Sequence, residues 1–285
     1  MAPVLSLKVL VDNCTITDRY FSGEPGLSFL IETEGKKILF DTGYSGLFLK
    51  NARKMGESLL DLDFIVFSHG HLDHTGGLPA LIRYRTASVI EEIPNRMPTI
   101  VAHPYCFNPR PKPPMPNIGS IIPVDELSRH FSITTSTKPV WLSDRLVFLG
   151  QVGRTFDFET FDPGTRTIIM NDGRAEKDFL LDDSALAVRT RHGLAIITGC
   201  SHAGICNVVE HARKVCGEDR IIDIIGGLHL LGPDRQRIES TGTYLRDLHL
   251  MALHACHCTS LSAKIEIAKA SPLQEVGVGM TFNWD

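Results

Sequence analysis

The chain has 285 residues, enough for one large domain or two small ones. Hydrophobic residues make up 43%, an ordinary globular share; the net charge of −4, with no run of Lys or Arg, argues against a protein held on nucleic acid by phosphate contacts. No apolar stretch approaches the ~20 residues of a membrane span, and seven scattered Cys in a chain of this size read as reduced thiols of a cytoplasmic protein.

The opening MAPVLSLKVLVDN lacks a basic segment followed by a long apolar one, so residues 4–11 read as a first strand and not as part of a signal peptide. The Asn13-Cys14-Thr15 sequon is discounted on the same ground. Gly26 to Glu32 is a second strand, Glu34-Gly35-Lys36 a hairpin turn, and Lys37 to Phe40 the returning strand. That strand ends in Asp41-Thr42-Gly43. D-T-G also marks aspartic proteases, but such an enzyme needs two facing carboxylates, and no second D-[ST]-G is present. Residues 45–56 read as a short helix with Leu47, Ala52 and Met55 inward.

Residues 64–79, FIVFSHGHLDHTGGLP, organise the rest. A short apolar run is followed by His69, His71, Asp73 and His74, then by a helix from Leu78 to Tyr84. On a helix His69 and His71 would point about 200° apart; from a loop leaving a strand end they can share an ion. Neutral imidazole and carboxylate suit zinc first, with iron, manganese or magnesium as further choices. Paired ions about 3.5–4 Å apart can share a bridging water or hydroxide.

Thr99 to Ala102 reads as a buried strand ending at His103, for which a structural or substrate-side role outweighs ligation. Residues 104–123 contain seven Pro and form a long extended loop. Beside His103 such a loop is a lid, a substrate wall or a contact between two copies of the chain, so a homodimer is compatible with it. HFSITTS and RLVFLG, within residues 130–150, are strand-like; the following polar stretch to residue 180 cannot be placed. Ala185–Thr190 and Leu194–Thr198 form a hairpin whose second strand runs into Gly199-Cys200-Ser201-His202. A helix follows, with Ile205, Val208, Val209, Ala212 and Val215 on one face. Ile221 to Ile225 is a buried strand leading to His229. A helix over about 235–252 precedes Cys256-His257-Cys258, a last helix covers 260–270, and the tail is a strand.

Strands that end in polar clusters (Asp41, His69–His74, His103, Cys200–His202, His229, His257) are what an α/β metal site needs. The H-x-H-x-D-H motif between a strand and TGGL resembles the metallo-β-lactamase fold superfamily. The resemblance implies an αβ/βα four-layer sandwich in one domain, with halves of about 1–125 and 130–285. It extends further. VDN, GLSFLIE, ILFDTG, SHGHLDHTGGL, AHP, DDSAL, GLAIITGCSHAGICN, IIGGLHL and HCT are similar to the group of 7,8-dihydropterin-6-yl-methyl-4-(β-D-ribofuranosyl)aminobenzene 5′-phosphate synthases, over nearly the whole chain. That group's implied reaction joins a dihydropterin diphosphate to a ribofuranosyl-aminobenzoate phosphate, releasing diphosphate and carbon dioxide, on a route to methanopterin-type carriers.

The chain departs from the pattern. The superfamily's G-H-T-x-G-H motif is missing, Cys200 stands where hydrolases carry a bridging Asp, and Pro25 stands where the group usually has a His. His202 then fills the gap of the missing motif. The expected ligands are His69, His71 and His202 for one divalent ion, and Asp73, His74 and His257 for the other. Asp73 or a His also serves as a proton carrier; His229 could replace His257 as a ligand, but His257 is favoured and His229 is given to the substrate or to support of a ligand; Asp41 either orients a ligand His or caps its turn. Cys200 is either a soft ligand or a small buried residue, the second being favoured. The expected partner is a phosphorylated small molecule, with no nucleic acid and no membrane. The other readings are a metallo-hydrolase of a phosphodiester, lactone or thioester, and a non-catalytic metal-binding member; without a flavodoxin-like domain the diiron oxygen-reductase form is disfavoured.

Overall fold

Alternating apolar strands and amphipathic helices leave each sheet with two faces to cover, and the chain covers them with two sheets packed face to face and helices outside. The computed structural model describes residues 4–232 and 235–285; Met1–Pro3 of the opening segment lie outside them. In chain order the strands are β1 Leu5–Val11, β2 Ser28–Thr33, β3 Lys36–Phe40, β4 Phe64–Val66, β5 Thr99–Ala102, β6 Ser132–Thr135, β7 Val140–Trp141, β8 Leu146–Phe148, β9 Thr167–Ile169, β10 Ala175–Lys177, β11 Ala185–Arg189, β12 Leu194–Thr198, β13 Ile221–Gly227, β14 Ala252–Cys256 and β15 Thr281–Trp284. The helices are α1 Leu47–Lys54, α2 Leu72–Thr75, α3 Leu78–Ile90, α4 Val124–Leu127, α5 Ile205–Cys216, α6 Arg235–Asp247 and α7 Leu261–Ala268.

One sheet runs β15-β1-β2-β3-β4-β5-β6 and the other β14-β13-β12-β11-β8-β7. The sheets therefore divide between Thr135 and Val140, not near residue 125, and β15 returns from the C-terminus to pair with β1. Strands β3 to β6 are parallel to one another, as are β12, β13 and β14. The carboxyl ends of both parallel sets, where side chains can converge, form one edge of the sandwich.

Three apolar layers hold it. Leu7, Phe29, Phe40 and Val66 of the first sheet meet Phe148, Leu186, Ile197 and Ile225 of the second. Phe48 and Leu81 of α1 and α3 cover the first sheet, beside Leu39 and Ile100. Val208, Leu245 and Ile267 of α5, α6 and α7 cover the second. Asp223, buried in β13, accepts from Trp284 Nε1 (3.0 Å) and pairs with His254 Nδ1 (2.9 Å), a polar link from β15 to the other sheet.

Two expectations change. Ala252 is not the end of a helix: α6 stops at Asp247, and Ala252–Cys256 pair with Asp223–Gly227 as β14. Leu245, Leu248 and Ala252 have helical spacing by chance, and His249 in a left-handed conformation (φ 51°) breaks the run. In α1 Phe48 and Asn51 are buried along with the expected Ala52, whereas Leu47, and Met55 just past the helix, lie only partly buried beside them.

Candidate metal centre

Four strands of the parallel sets deliver a polar residue through a sharp turn. Asp41, Ser201, His229 and His257, just past β3, β12, β13 and β14, have φ of 58°, 58°, 49° and 49°. A left-handed non-glycine residue costs roughly 1–2 kcal/mol. Four of them around one edge mark a place where packing holds the backbone for a purpose.

The motif loop leaves β4 at Phe67. Gly70 is required there, since a Cβ would stand 1.9 Å from the carbonyl oxygen of Cys106. Its N–H donates to Asp182 Oδ2 (2.8 Å), and Asp182 is paired with Arg110 (2.7 Å), which also pairs with Asp178 (2.6 Å). His71 precedes α2, and its carbonyl accepts from His74 N and Thr75 N (both 3.0 Å).

Among the described residues five overlapping triads of donors result, Cys258 joining Cys200 and His257 in one of them, and two of the five hold the expected ligands. In the first, His69 Nε2 lies 3.0 Å from His71 Nδ1, and His202 Nε2 3.2 Å from the same atom. In the second, Asp73 Oδ2 lies 3.8 Å from His74 Nε2 and 3.4 Å from His257 Nε2. Within each group all donor atoms are within 4.8 Å of one another. All six expected ligand residues are thus brought together, His202 among them. Cys200 joins them, with Sγ 3.2 Å from His74 Nε2; it is buried and among the donors at once. Burial, with Cys258 beside it, pushes its thiol up. His229 lies beside these donors, its ring 4.1 Å from that of His202 and its donor within 4.8 Å of those of Cys200 and His202. His103 stays outside, bonded to Gln151 (3.3 Å) and to the N–H of Tyr105 (3.1 Å).

The opposite ring nitrogens fix which atom points inward. Asp41, fully buried, takes Ser68 N (2.8 Å), Ser68 Oγ (2.7 Å) and His74 Nδ1 (2.6 Å), so His74 presents Nε2 to the centre. Ser68 Oγ meets His69 Nδ1 at 3.0 Å and does the same for His69. The VDN segment serves His257: Asp12 Oδ1 accepts its backbone N–H (2.8 Å) and Asn13 Oδ1 faces its Nδ1 (3.0 Å).

Charge agrees with geometry. Burial, then neighbouring imidazoles, holds His69 and His202 well below the usual histidine value, and burial with Arg110 pushes His71 to about 3. All three are neutral, so their lone pairs converge with too few protons to join them. Burial opposes ionised Asp73, but His74 and His257 outweigh it and hold the group below the ordinary carboxylate range. His257 Nε2 is buried with no hydrogen-bond partner among the described residues. Three neutral imidazoles in one group, and a carboxylate with two imidazoles in the other, fit divalent cations and would leave buried polar atoms poorly satisfied otherwise.

A cleft of about 740 Å³ opens over the centre. His71, Asp73, Cys200, His202, His229 and His257 form its floor, and Lys112, Met115 and Ile118 of the Pro-rich loop are one wall. The Pro-rich loop thus lines the cleft. Leu72 N donates to Ile118 O (2.8 Å), tying the wall to the motif loop. Arg166 lies in the stretch that sequence could not place; a cation directly before a short strand carried no signal by itself.

The sequence profile of the metallo-beta-lactamase superfamily matches residues 22–211. The chain belongs to the metallo-β-lactamase superfamily. Its two-sheet α/β sandwich is that fold, whose members usually are enzymes and normally bind divalent metals. The chain is 32% identical, over 86% of its length and 84% of the relative's, to the 7,8-dihydropterin-6-methyl-4-(β-D-ribofuranosyl)-aminobenzene-5′-phosphate synthase of Methanocaldococcus jannaschii. An uncharacterized protein of the same organism is 29% identical over 92% of this chain and 94% of that protein. Among solved structures, Tm1679, described as a metal-dependent hydrolase of the β-lactamase superfamily, superposes with a TM-score of 0.81 at 26% identity, covering 98% of each chain. No helix among the described residues is long and apolar enough to cross a membrane.

Proposed function

We propose that this chain is a two-metal enzyme acting on a phosphorylated small molecule, and that its reaction is the pterin condensation for which the Methanocaldococcus jannaschii relative is named. The observation that carries the reading is the pair of donor groups under one cleft, in a chain aligned with that synthase over most of both lengths. His69, His71 and His202 hold one ion; Asp73, His74 and His257 hold the second, with Cys200 within reach. Zinc suits this imidazole, carboxylate and sulfur set best, ahead of iron, manganese and magnesium.

Bound divalent ions supply positive charge against a diphosphate as it leaves. The protein's part is orientation. Asp41, Ser68 and Asn13 fix three imidazoles, and Asp73 carries negative charge at the cleft floor. His229 has a buried Nδ1 without a partner among the described residues, and its ring faces the space substrate must enter. It is assigned to contact with the substrate, with Asp73 as the proton carrier.

Hydrolysis is the second reading, favoured by the likeness to Tm1679. One experiment separates the two. Metal-loaded protein is given dihydropterin diphosphate with and without ribofuranosyl-aminobenzoate phosphate, and diphosphate is measured. Release only with both substrates supports the synthase. Release from the first alone supports a hydrolase, and release in neither case removes the pterin assignment.

A further inference from the structure

We infer that Lys112 and Arg166 form an oxoanion-binding arm of the cleft, which holds a terminal phosphate of the substrate away from the metal centre. The inference rests on the reading of this cleft as the substrate site.

The two cations come from segments 54 residues apart in sequence, and backbone pairing sets them side by side. Thr167 N donates to Pro111 O (3.2 Å) and Ile169 N to Pro109 O (2.9 Å), so β9 lies along the Pro-rich loop, and Lys112 and Arg166 flank that pairing. A short bridge from Lys112 to Met115 closes the tip of the loop. The wall is anchored from below: Arg110, fully buried in the same loop, binds Asp178 and Asp182, and Asp182 holds the motif loop through Gly70 N. The arm is therefore in fixed register with the metal ligands.

Neither cation forms a side-chain hydrogen bond or ion pair among the described residues. Among the described residues the Arg166 side chain has a ring contact alone, with its guanidinium 5.3 Å from the centre of Phe161. Its Nε is buried without a hydrogen-bond partner. Arg154 shows the contrast. It lies over the same ring at 5.7 Å, but its guanidinium is taken up by the carbonyls of Phe179 and Leu180. Phe161 in turn stands 6.2 Å from the ring of His202, so Arg166 is braced on a residue that touches the metal centre.

A guanidinium stacked on an aromatic ring keeps its planar edge free for two oxygens of a phosphoryl group, and a lysine beside it adds a mobile point charge. Between arm and floor the cleft is lined by Pro25, Tyr44, Met115, Ile118 and Leu231, surfaces that suit a flat ring. The substrate class is a planar aromatic or heteroaromatic molecule whose reacting end meets the metal floor and whose other end carries a phosphate monoester.

The test uses phenylphosphonate, which cannot be hydrolysed as an ester, and benzyl alcohol as its neutral counterpart, titrated calorimetrically into metal-loaded wild type, Arg166→Gln, Arg166→Lys and Lys112→Gln. Metal content and unfolding midpoint are measured on each. Charge-assisted hydrogen bonds of ordinary strength predict phosphonate binding weakened about ten- to hundredfold in Arg166→Gln. Lys112→Gln is weakened less, Arg166→Lys recovers part, benzyl alcohol is unaffected, and metal content stays constant. Equal phosphonate affinity in wild type and both glutamine variants, lost only on chelation, means the phosphoryl group sits on the ions alone; this overturns the arm and leaves the metal-enzyme reading standing. Absence of phosphonate binding to wild type also overturns it. An arginine-dependent affinity in a protein that turns over no phosphorylated pterin upholds the arm and removes the synthase.

Discussion

Asp41→Asn is the substitution whose consequence the structure defines most sharply. Asp41 is fully buried and accepts three hydrogen bonds, from Ser68 N, Ser68 Oγ and His74 Nδ1. An amide of the same shape can keep its oxygen towards Ser68 N, but then turns an NH₂ group towards His74. The imidazole must accept there, so its proton moves to Nε2, the atom aimed at Asp73 and the second ion position. Loss of such an orienting carboxylate costs about 10- to 100-fold in metal affinity. Affinity for the second ion equivalent, by competition with a chromophoric chelator, should fall by that factor while the first holds. The chelated protein gives a second reading. Burial pulls His74 down, but Asp41 and Asp73 outweigh it and raise it to about 9. A raised folded value means the stabilisation is complete below the unfolded value of about 6.5 and is lost as pH climbs through about 9. The difference corresponds to about 3 kcal/mol. Unfolding of chelated wild type should weaken over that window, and Asp41→Asn should flatten the slope. Second-ion affinity within twofold of wild type in Asp41→Asn would refute the reasoning.

Other outcomes follow from single contacts. Arg110→Ala strands Asp178 and Asp182 as buried carboxylates and should destabilise by about 3–5 kcal/mol in urea unfolding. Gly70→Ala drives a Cβ to 1.9 Å from the Cys106 carbonyl oxygen. Since backbone must move, it should lower stability by more than about 3 kcal/mol and reduce metal content, read by calorimetry and elemental analysis. His103→Gln, outside both donor groups, should leave metal content unchanged.

The metal loop is legible in sequence because its chemistry is local: four donor residues within six positions, after a strand and before a helix. Cys200, His202 and His257 are legible as strand-end residues, and the long buried strands fix the sandwich. What stays hidden depends on contacts distant in sequence. Asp12 and Asn13 serve His257 across more than 240 residues. Asp182 looks like half of an acidic pair until Arg110 and Gly70 are seen against it. Arg166 has no periodic neighbour to mark it. The missed strand β14 shows a different limit, since Leu245, Leu248 and Ala252 satisfy a helical spacing that parallel pairing with β13 overrides.

The central claim is that His202 completes a two-ion centre in place of the missing motif. Elemental analysis of metal per chain, on purified wild type and His202→Ala loaded under the same conditions, tests it most directly. The donor groups predict close to two ions in wild type and a loss of about one in the variant, with both proteins folded by circular dichroism. About one ion in wild type, unchanged in His202→Ala, would contradict the claim and return His202 to a structural or substrate-facing role.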